Sequence, residues 1–193
     1  FVGRAAEIER VAGLIDEGAQ LVTVVGAPGV GKTRLAHRVA CRFVDDPAGQ
    51  AGAWFCDLTE ARRGDDVLGA VAGVLGVPMA TGSGGDDVAD QLGRAIAGRG
   101  DALLVLDNFE QVLESAPIVA RWMVLAPRAT FLVTSRARLR LEGESVLELA
   151  SLPCPLPEEA SAEAVLATDA VALWVARVQA VSPGYRPSEA DAV

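Results

Sequence analysis

The stretch Gly26-Ala27-Pro28-Gly29-Val30-Gly31-Lys32-Thr33 decides the fold of this chain. It fits G-x-x-x-x-G-K-[ST], the P-loop pattern. Before it stands Leu21-Val22-Thr23-Val24-Val25, an apolar, β-branched run suited to a buried parallel strand. After it, Leu35, Ala36, Val39, Ala40 and Phe43 recur at helical spacing. Strand, glycine loop and helix therefore follow in the order that phosphate binding needs. Gly26, Gly29 and Gly31 are expected to give the backbone positive φ and a close approach to a ligand. The loop N–H groups and the helix N-terminus then form a nest for polyphosphate. Lys32 would reach the β- and γ-phosphates, and the Thr33 hydroxyl would ligate Mg²⁺. Arg34 borders this loop and is counted with it, although a surface position on the helix suits it as well.

Composition bounds the rest. The 193 residues suffice for one substantial core with a small appendage. Hydrophobic content of 51% and charged content of 22% describe a soluble globular domain. No apolar run approaches the roughly 18 residues that span a bilayer, and no charged-then-apolar segment opens the chain. A cytoplasmic protein with no membrane contact is expected. Phe1 rather than Met at the start leads us to expect a piece of a longer chain. A net charge of −9 argues against direct nucleic-acid binding by this domain. Cys41, Cys56 and Cys154 lack metal-ligand spacing and read as buried thiols, and the single histidine, His37, as structural.

Along the chain, Ile8, Val11, Ala12 and Ile15 mark a first helix, ended by Gly18. Ala53 to Leu58 reads as a strand. Val67, Leu68, Val71, Val74 and Leu75 form a helical stripe behind Asp65-Asp66, acids that suit a helix N-terminus. Pro78 to Gly85 reads as a mobile loop, and Val88, Leu92 and Ile96 as another helix. Leu103 to Asp107 is a buried strand ending in a carboxylate. Ser115-Ala116-Pro117 predicts a capped helix running to about Leu125. Thr130 to Thr134 and Val146 to Leu149 complete a five-stranded set. The alternation predicts an α/β fold, a three-layer sandwich around a mainly parallel five-stranded sheet. Ser151 to Pro157 holds three prolines in seven residues and reads as a linker. The expected organisation is a nucleotide-binding domain over 1–150, a linker over 151–160, and the start of a helical lid over 161–193, with Val171, Trp174, Val175 and Val178 on its helix.

Loops after parallel strands share one sheet edge, so the phosphate loop, Asp107 and Arg136 are expected together. Asp107, at the end of an apolar strand, has the position of a Walker B carboxylate that holds Mg²⁺ through water. Asn108, which follows it, cannot take a proton, and Glu110 is the nearest carboxylate that could orient an attacking water. A solvated loop position suits Glu110 equally, so slow hydrolysis is the expectation. Arg136 could meet a γ-phosphate with its guanidinium fork. Arg138 and Arg140 are expected to face solvent or pair with Glu142 and Glu144.

Phe1-Val2-Gly3-Arg4, Val25 through Ala36, Leu103 through Glu110, and Thr134-Ser135-Arg136 together resemble the STAND class of signal-transduction ATPases. The likeness is to the NB-ARC-like ATPase domains of bacterial LuxR-type and antibiotic-regulator-type transcription factors, and it covers roughly residues 1 to 180. It implies that Val2, Gly3 and Arg4 line the adenine pocket and that Arg136 is the γ-phosphate sensor. It also implies an ADP-bound resting state, with exchange for ATP and self-assembly controlled by C-terminal sensor repeats. The family's Gly-Leu-Pro motif of the helical lid is missing from this sequence. Two other readings stay open: a nucleotide-dependent interaction module that does not hydrolyse, and a small-molecule P-loop kinase. The loop from Pro78 to Gly85 carries no Arg or Lys, which weighs against the kinase.

Overall fold

A computed structural model of the chain describes residues 3–45, 52–79, 84–152, 165 and 168–186. Val2, the proline run from Pro153 and Cys154 lie outside the described residues. The chain divides into two units, Ala6–Leu149 and the segments Phe1–Ala5 with Ala150–Val193.

In the larger unit, α1 (Ala5–Asp16) leads to β1 (Leu21–Val25), the phosphate loop and α2 (Lys32–Asp45). Strand β2 (Gly52–Asp57), helices α3 (Gly64–Leu75) and α4 (Gly85–Ala97), and β3 (Ala102–Asp107) follow. Two short 3₁₀ turns, Phe109–Gln111 and Leu113–Ser115, precede α5 (Ala116–Leu125), β4 (Thr130–Ser135) and β5 (Glu144–Glu148). All strand pairs are parallel, in the order β2-β3-β4-β1-β5. The fold is the expected three-layer α/β P-loop architecture.

The apolar runs are nearly continuous because both faces of the sheet are covered. On β3, Leu103 and Val105 join a core with Val11 of α1 and Leu35, Val39 and Phe43 of α2. Leu104 and Leu106 point the other way, into a core built from α3, α4 and α5. Trp122 anchors that second core: its indole N–H donates to the Ala89 carbonyl at 2.9 Å, and its ring stacks on Phe131. Gly93 lets α4 and α5 close up, since a Cβ there would lie 2.5 Å from the Leu125 side chain.

Local signals behave unevenly. Asp66 accepts the backbone N–H groups of Arg62 and Arg63 at 2.8 and 2.9 Å, which fixes the start of α3 and holds its carboxyl below the usual range. Gly76 ends α3 at φ 65. Val74, expected in the buried stripe of α3, is instead exposed. Ser115 makes no capping bond, because it belongs to a 3₁₀ turn that runs straight into α5. Pro117 sits in the first turn, where its missing N–H costs nothing.

In the smaller unit, α6 (Asp169–Val181) buries none of its residues; Trp174 meets Tyr185 edge-on at 5.5 Å. Gly3 has φ 70 and lies where a Cβ would come within 2.9 Å of the Asp169 carboxylate. Arg4 donates to the Ala150 carbonyl.

Candidate functional site

Three neighbouring strands, β3, β4 and β1, deliver the site to the C-terminal edge of the sheet. Val25 is the register partner of Ser135, and the Gly26 N–H donates to the Ser135 carbonyl at 3.3 Å. Arg136 therefore leaves β4 beside the mouth of the phosphate loop. Asp107 ends β3 on the far side of β4, about 10 Å across from β1 at the usual strand spacing. Strand order is a feature that the expectation of a shared edge did not contain.

The loop glycines do different work. Gly29 and Gly31 have φ of 75° and 102°, and a Cβ on either would have nothing within 4 Å. They are needed for backbone direction. Gly26 is not at positive φ, contrary to the sequence expectation; it is needed for space. A Cβ there would lie 2.7 Å from the Leu149 carbonyl, which passes close by as β5 continues to pair with β1. Between these glycines, Ala27, Pro28 and Val30 carry the turn, with the Val30 N–H on the Ala27 carbonyl.

Lys32 opens α2 and is only 7% exposed. Its ammonium donates to the carbonyls of Gly26 at 3.0 Å and Ala27 at 3.2 Å, so it lies folded across its own loop. Thr33 and Arg34 are exposed in the first turn of α2, where N–H groups lack intrahelical acceptors. An open cradle of backbone donors, one buried ammonium and an exposed hydroxyl fit a polyphosphate.

Asp107 is 1% exposed. Its Oδ1 accepts the Thr134 hydroxyl and its Oδ2 the Asn108 amide at 3.2 Å. Each oxygen keeps a free lone pair, which fits a metal held through water. Asn108 has φ 63 and ψ 38, a left-handed conformation that asparagine tolerates better than most residues. Its amide also reaches Thr59 Oγ1 at 2.8 Å and Asp57 Oδ1 at 3.3 Å. Asp57 ends β2 as the register partner of Asp107. The Thr59 hydroxyl, the Thr59 N–H and the Asn108 amide together hold the Asp57 carboxyl below the usual carboxylate range. Sequence reasoning missed Asp57, Thr59 and Thr134 as site residues. The available signal was a polar side chain at the end of each of two adjoining apolar strands.

Beyond Asn108 the 3₁₀ turn points Glu110 inward, leaving its side chain 11% exposed. Its Oε1 accepts Arg136 Nε at 3.0 Å, and its Oε2 is buried with no partner among the described residues. The structure thus brings Glu110 and Arg136 into one ion pair. Arg138 bonds Glu148 rather than Glu142 or Glu144, while Glu144 takes the backbone N–H groups of Leu139 and Arg140. His37 lies against Phe55 and Cys41, a structural setting. No cluster of three metal-ligating side chains occurs among the described residues, and none of their helices is long and apolar enough to cross a membrane.

Comparison with known proteins bears on the fold and on the family. An uncharacterized protein of Mycobacterium tuberculosis is 30% identical over 186 residues, covering 96% of this chain and 42% of that one. A second protein of that organism, named "Putative HTH-type transcriptional regulator", is 31% identical over 167 residues, covering 86% of this chain and 17% of its own length. The chain thus spans less than half the length of these curated relatives. Among solved structures, the ORC1 protein of Aeropyrum pernix, in complex with DNA, matches with a TM-score of 0.63 at 20% identity, over 94% of this chain and 56% of that one. The ORC2 protein of the same organism, in ADPNP and ADP complexes, matches with a TM-score of 0.54 at 18% identity, over 75% and 48%. The family model described as "AAA domain" matches residues 15–136, from the end of α1 to Arg136. The chain belongs to the AAA domain family.

Proposed function

We propose that the chain is the ATP- and ADP-binding switch domain of a larger signal-transduction ATPase of the STAND class, one that serves transcription regulation. The observation that carries this reading is that β1, β4 and β3 adjoin, so that the phosphate loop with Lys32, Arg136 and Asp107 all follow onto one edge of the sheet. The relative named as an HTH-type transcriptional regulator and the ORC2 protein with ADPNP and ADP support it. In this reading Gly26 through Thr33, with Arg34, hold the polyphosphate, and Val2, Gly3 and Arg4 line the adenine pocket. Thr33 and Asp107 would hold Mg²⁺, which when bound neutralises charge on the β- and γ-phosphates. Lys32 moves from its loop carbonyls to the phosphates, and Arg136 reads the γ-phosphate. The 1–150 segment is then the nucleotide-binding domain, 151–160 a linker and 161–193 the beginning of a lid. ADP holds the resting state, and ATP permits opening and self-assembly under control of other domains of the parent chain. DNA contact falls to those other domains, given the net charge of −9.

A second reading, a nucleotide-dependent interaction module without turnover, is favoured by the Glu110–Arg136 pair, which occupies the nearest candidate base. Calorimetric titration with ADP and with Mg²⁺-ATP tests the main reading, with Lys32→Ala as control. Binding of both nucleotides, lost in Lys32→Ala, is expected; binding that Lys32→Ala leaves unchanged would overturn the phosphate-loop assignment. Release of inorganic phosphate over hours separates the slow hydrolase from the module.

A further inference from the structure

We propose that Glu110 sets the preference of this site for nucleoside diphosphate over triphosphate, by holding the Arg136 guanidinium against the pull of a γ-phosphate. The proposal rests on the nucleotide-switch reading above and adds a determinant to it. The two members of the pair differ in freedom. Glu110 sits in a 3₁₀ turn closed by the Gln111 and Val112 N–H groups on the Asn108 and Phe109 carbonyls, and Phe109 is fully buried. Arg136 has a side chain 56% exposed on a loop. Arg136 is therefore the partner that moves.

The cost of that movement falls on Glu110. Its carboxylate is nearly enclosed, its Oε2 has no donor among the described residues, and Arg136 is the cation that its Oε1 contacts. Withdrawal of Arg136 strands a desolvated carboxylate. A diphosphate has no γ-phosphate and leaves the pair intact. A triphosphate must draw Arg136 away, and its affinity is reduced by the strength of the pair. The competing possibility is that Glu110 grips Nε so as to aim the remaining N–H groups of Arg136 at the γ-phosphate. The two alternatives predict opposite signs.

The test is the ratio of affinities for ADP and for a non-hydrolysable ATP analogue with Mg²⁺, measured calorimetrically in wild type, Glu110→Gln, Arg136→Ala and the double variant. Glu110→Gln keeps the side-chain shape and removes the charge. We expect it to tighten the triphosphate analogue about fivefold relative to ADP, the scale of a partly exposed ion pair. In the Arg136→Ala background the same substitution should leave the ratio unmoved. Glu110→Asp, which shortens the reach to Nε, should shift the ratio in the same direction and guards against a folding defect in Glu110→Gln. A ratio that stays put while wild type binds both nucleotides would overturn this proposal alone, and so would weaker triphosphate binding. Wild type that binds neither nucleotide would overturn the switch reading and this proposal with it.

Discussion

The Thr134 hydroxyl donates to Oδ1 of Asp107, while Thr134 Oγ1 itself accepts the Asn108 N–H at 3.0 Å. One side chain on β4 thereby fixes both the carboxylate and the turn that follows it. Thr134→Val keeps the shape and removes both bonds in a site with no exposure. Two polar groups then lose a partner, and a loss of about 1–3 kcal/mol in stability is expected. The midpoint of urea denaturation measures it. Nucleotide binding should weaken more with Mg²⁺ than without, because Asp107 loses its fixed orientation. An unchanged midpoint would show that another donor takes over.

Gly26 and Gly31 invite a paired substitution, since one is needed for space and the other for direction. Gly26→Ala forces a methyl group against the Leu149 carbonyl, so the end of β5 must move away from β1. The expected cost is about 1–3 kcal/mol, as for other overpacked sites. Hydrogen exchange reads it locally, because the Leu149 N–H is bonded to the Val25 carbonyl at 2.7 Å. Gly26→Ala should speed exchange at that amide. Gly31→Ala, strained at φ 102° but in open space, should leave it protected while distorting the loop. Equal protection in both variants would refute the division of roles.

The sequence made some of this architecture readable, and the reasons it failed elsewhere are physical. The parallel sheet is legible because β3 and β4 are apolar on both faces, as only a covered strand is. The loop is legible because its glycines and lysine sit at fixed offsets. Strand order is not written locally: nothing in Thr130 to Ser135 says that this strand separates β1 from β3. Glu110 shows the same limit. A glutamate three residues past a strand end faces water or core according to the φ of the residue that turns the chain, here Asn108. The Asp57–Thr59–Asn108 network joins residues about fifty positions apart, and only the pairing of β2 with β3 brings them together.

That network has a pH signature. Asp57 has a folded pKa below its unfolded value, because the Thr59 hydroxyl, the Thr59 N–H and the Asn108 amide favour its charged form. A depressed carboxyl contributes stability above its unfolded pKa, about 3.9, and loses that contribution as pH falls through the lower folded value. Denaturation midpoints should therefore fall as pH drops below about 4. Asp57→Asn should be less stable at neutral pH and show a shallower fall in the acid window. Asp66 is depressed too, so part of the fall should persist. Parallel curves for Asp57→Asn and wild type would exclude Asp57 as a contributor.

Cys56, the residue before Asp57, gives a test of how firmly the β2 edge is closed. It is fully buried, and burial pushes its thiol up to about 12, with the neighbouring Asp57 charge adding to the effect. The thiolate is the reactive form, so Cys56 should resist alkylation at pH 8 while the chain is folded. Cys41 on α2 is only partly buried and should be modified first. Iodoacetamide labelling followed by peptide mass mapping separates the two. Cys56 should take up label only at denaturant concentrations that unfold the sheet. If it is modified in native buffer at the rate of Cys41, then β2, which among the described residues is an edge strand paired to β3 alone, opens without global unfolding. The Asp57 network would then be a dynamic part of the site and not a fixed one.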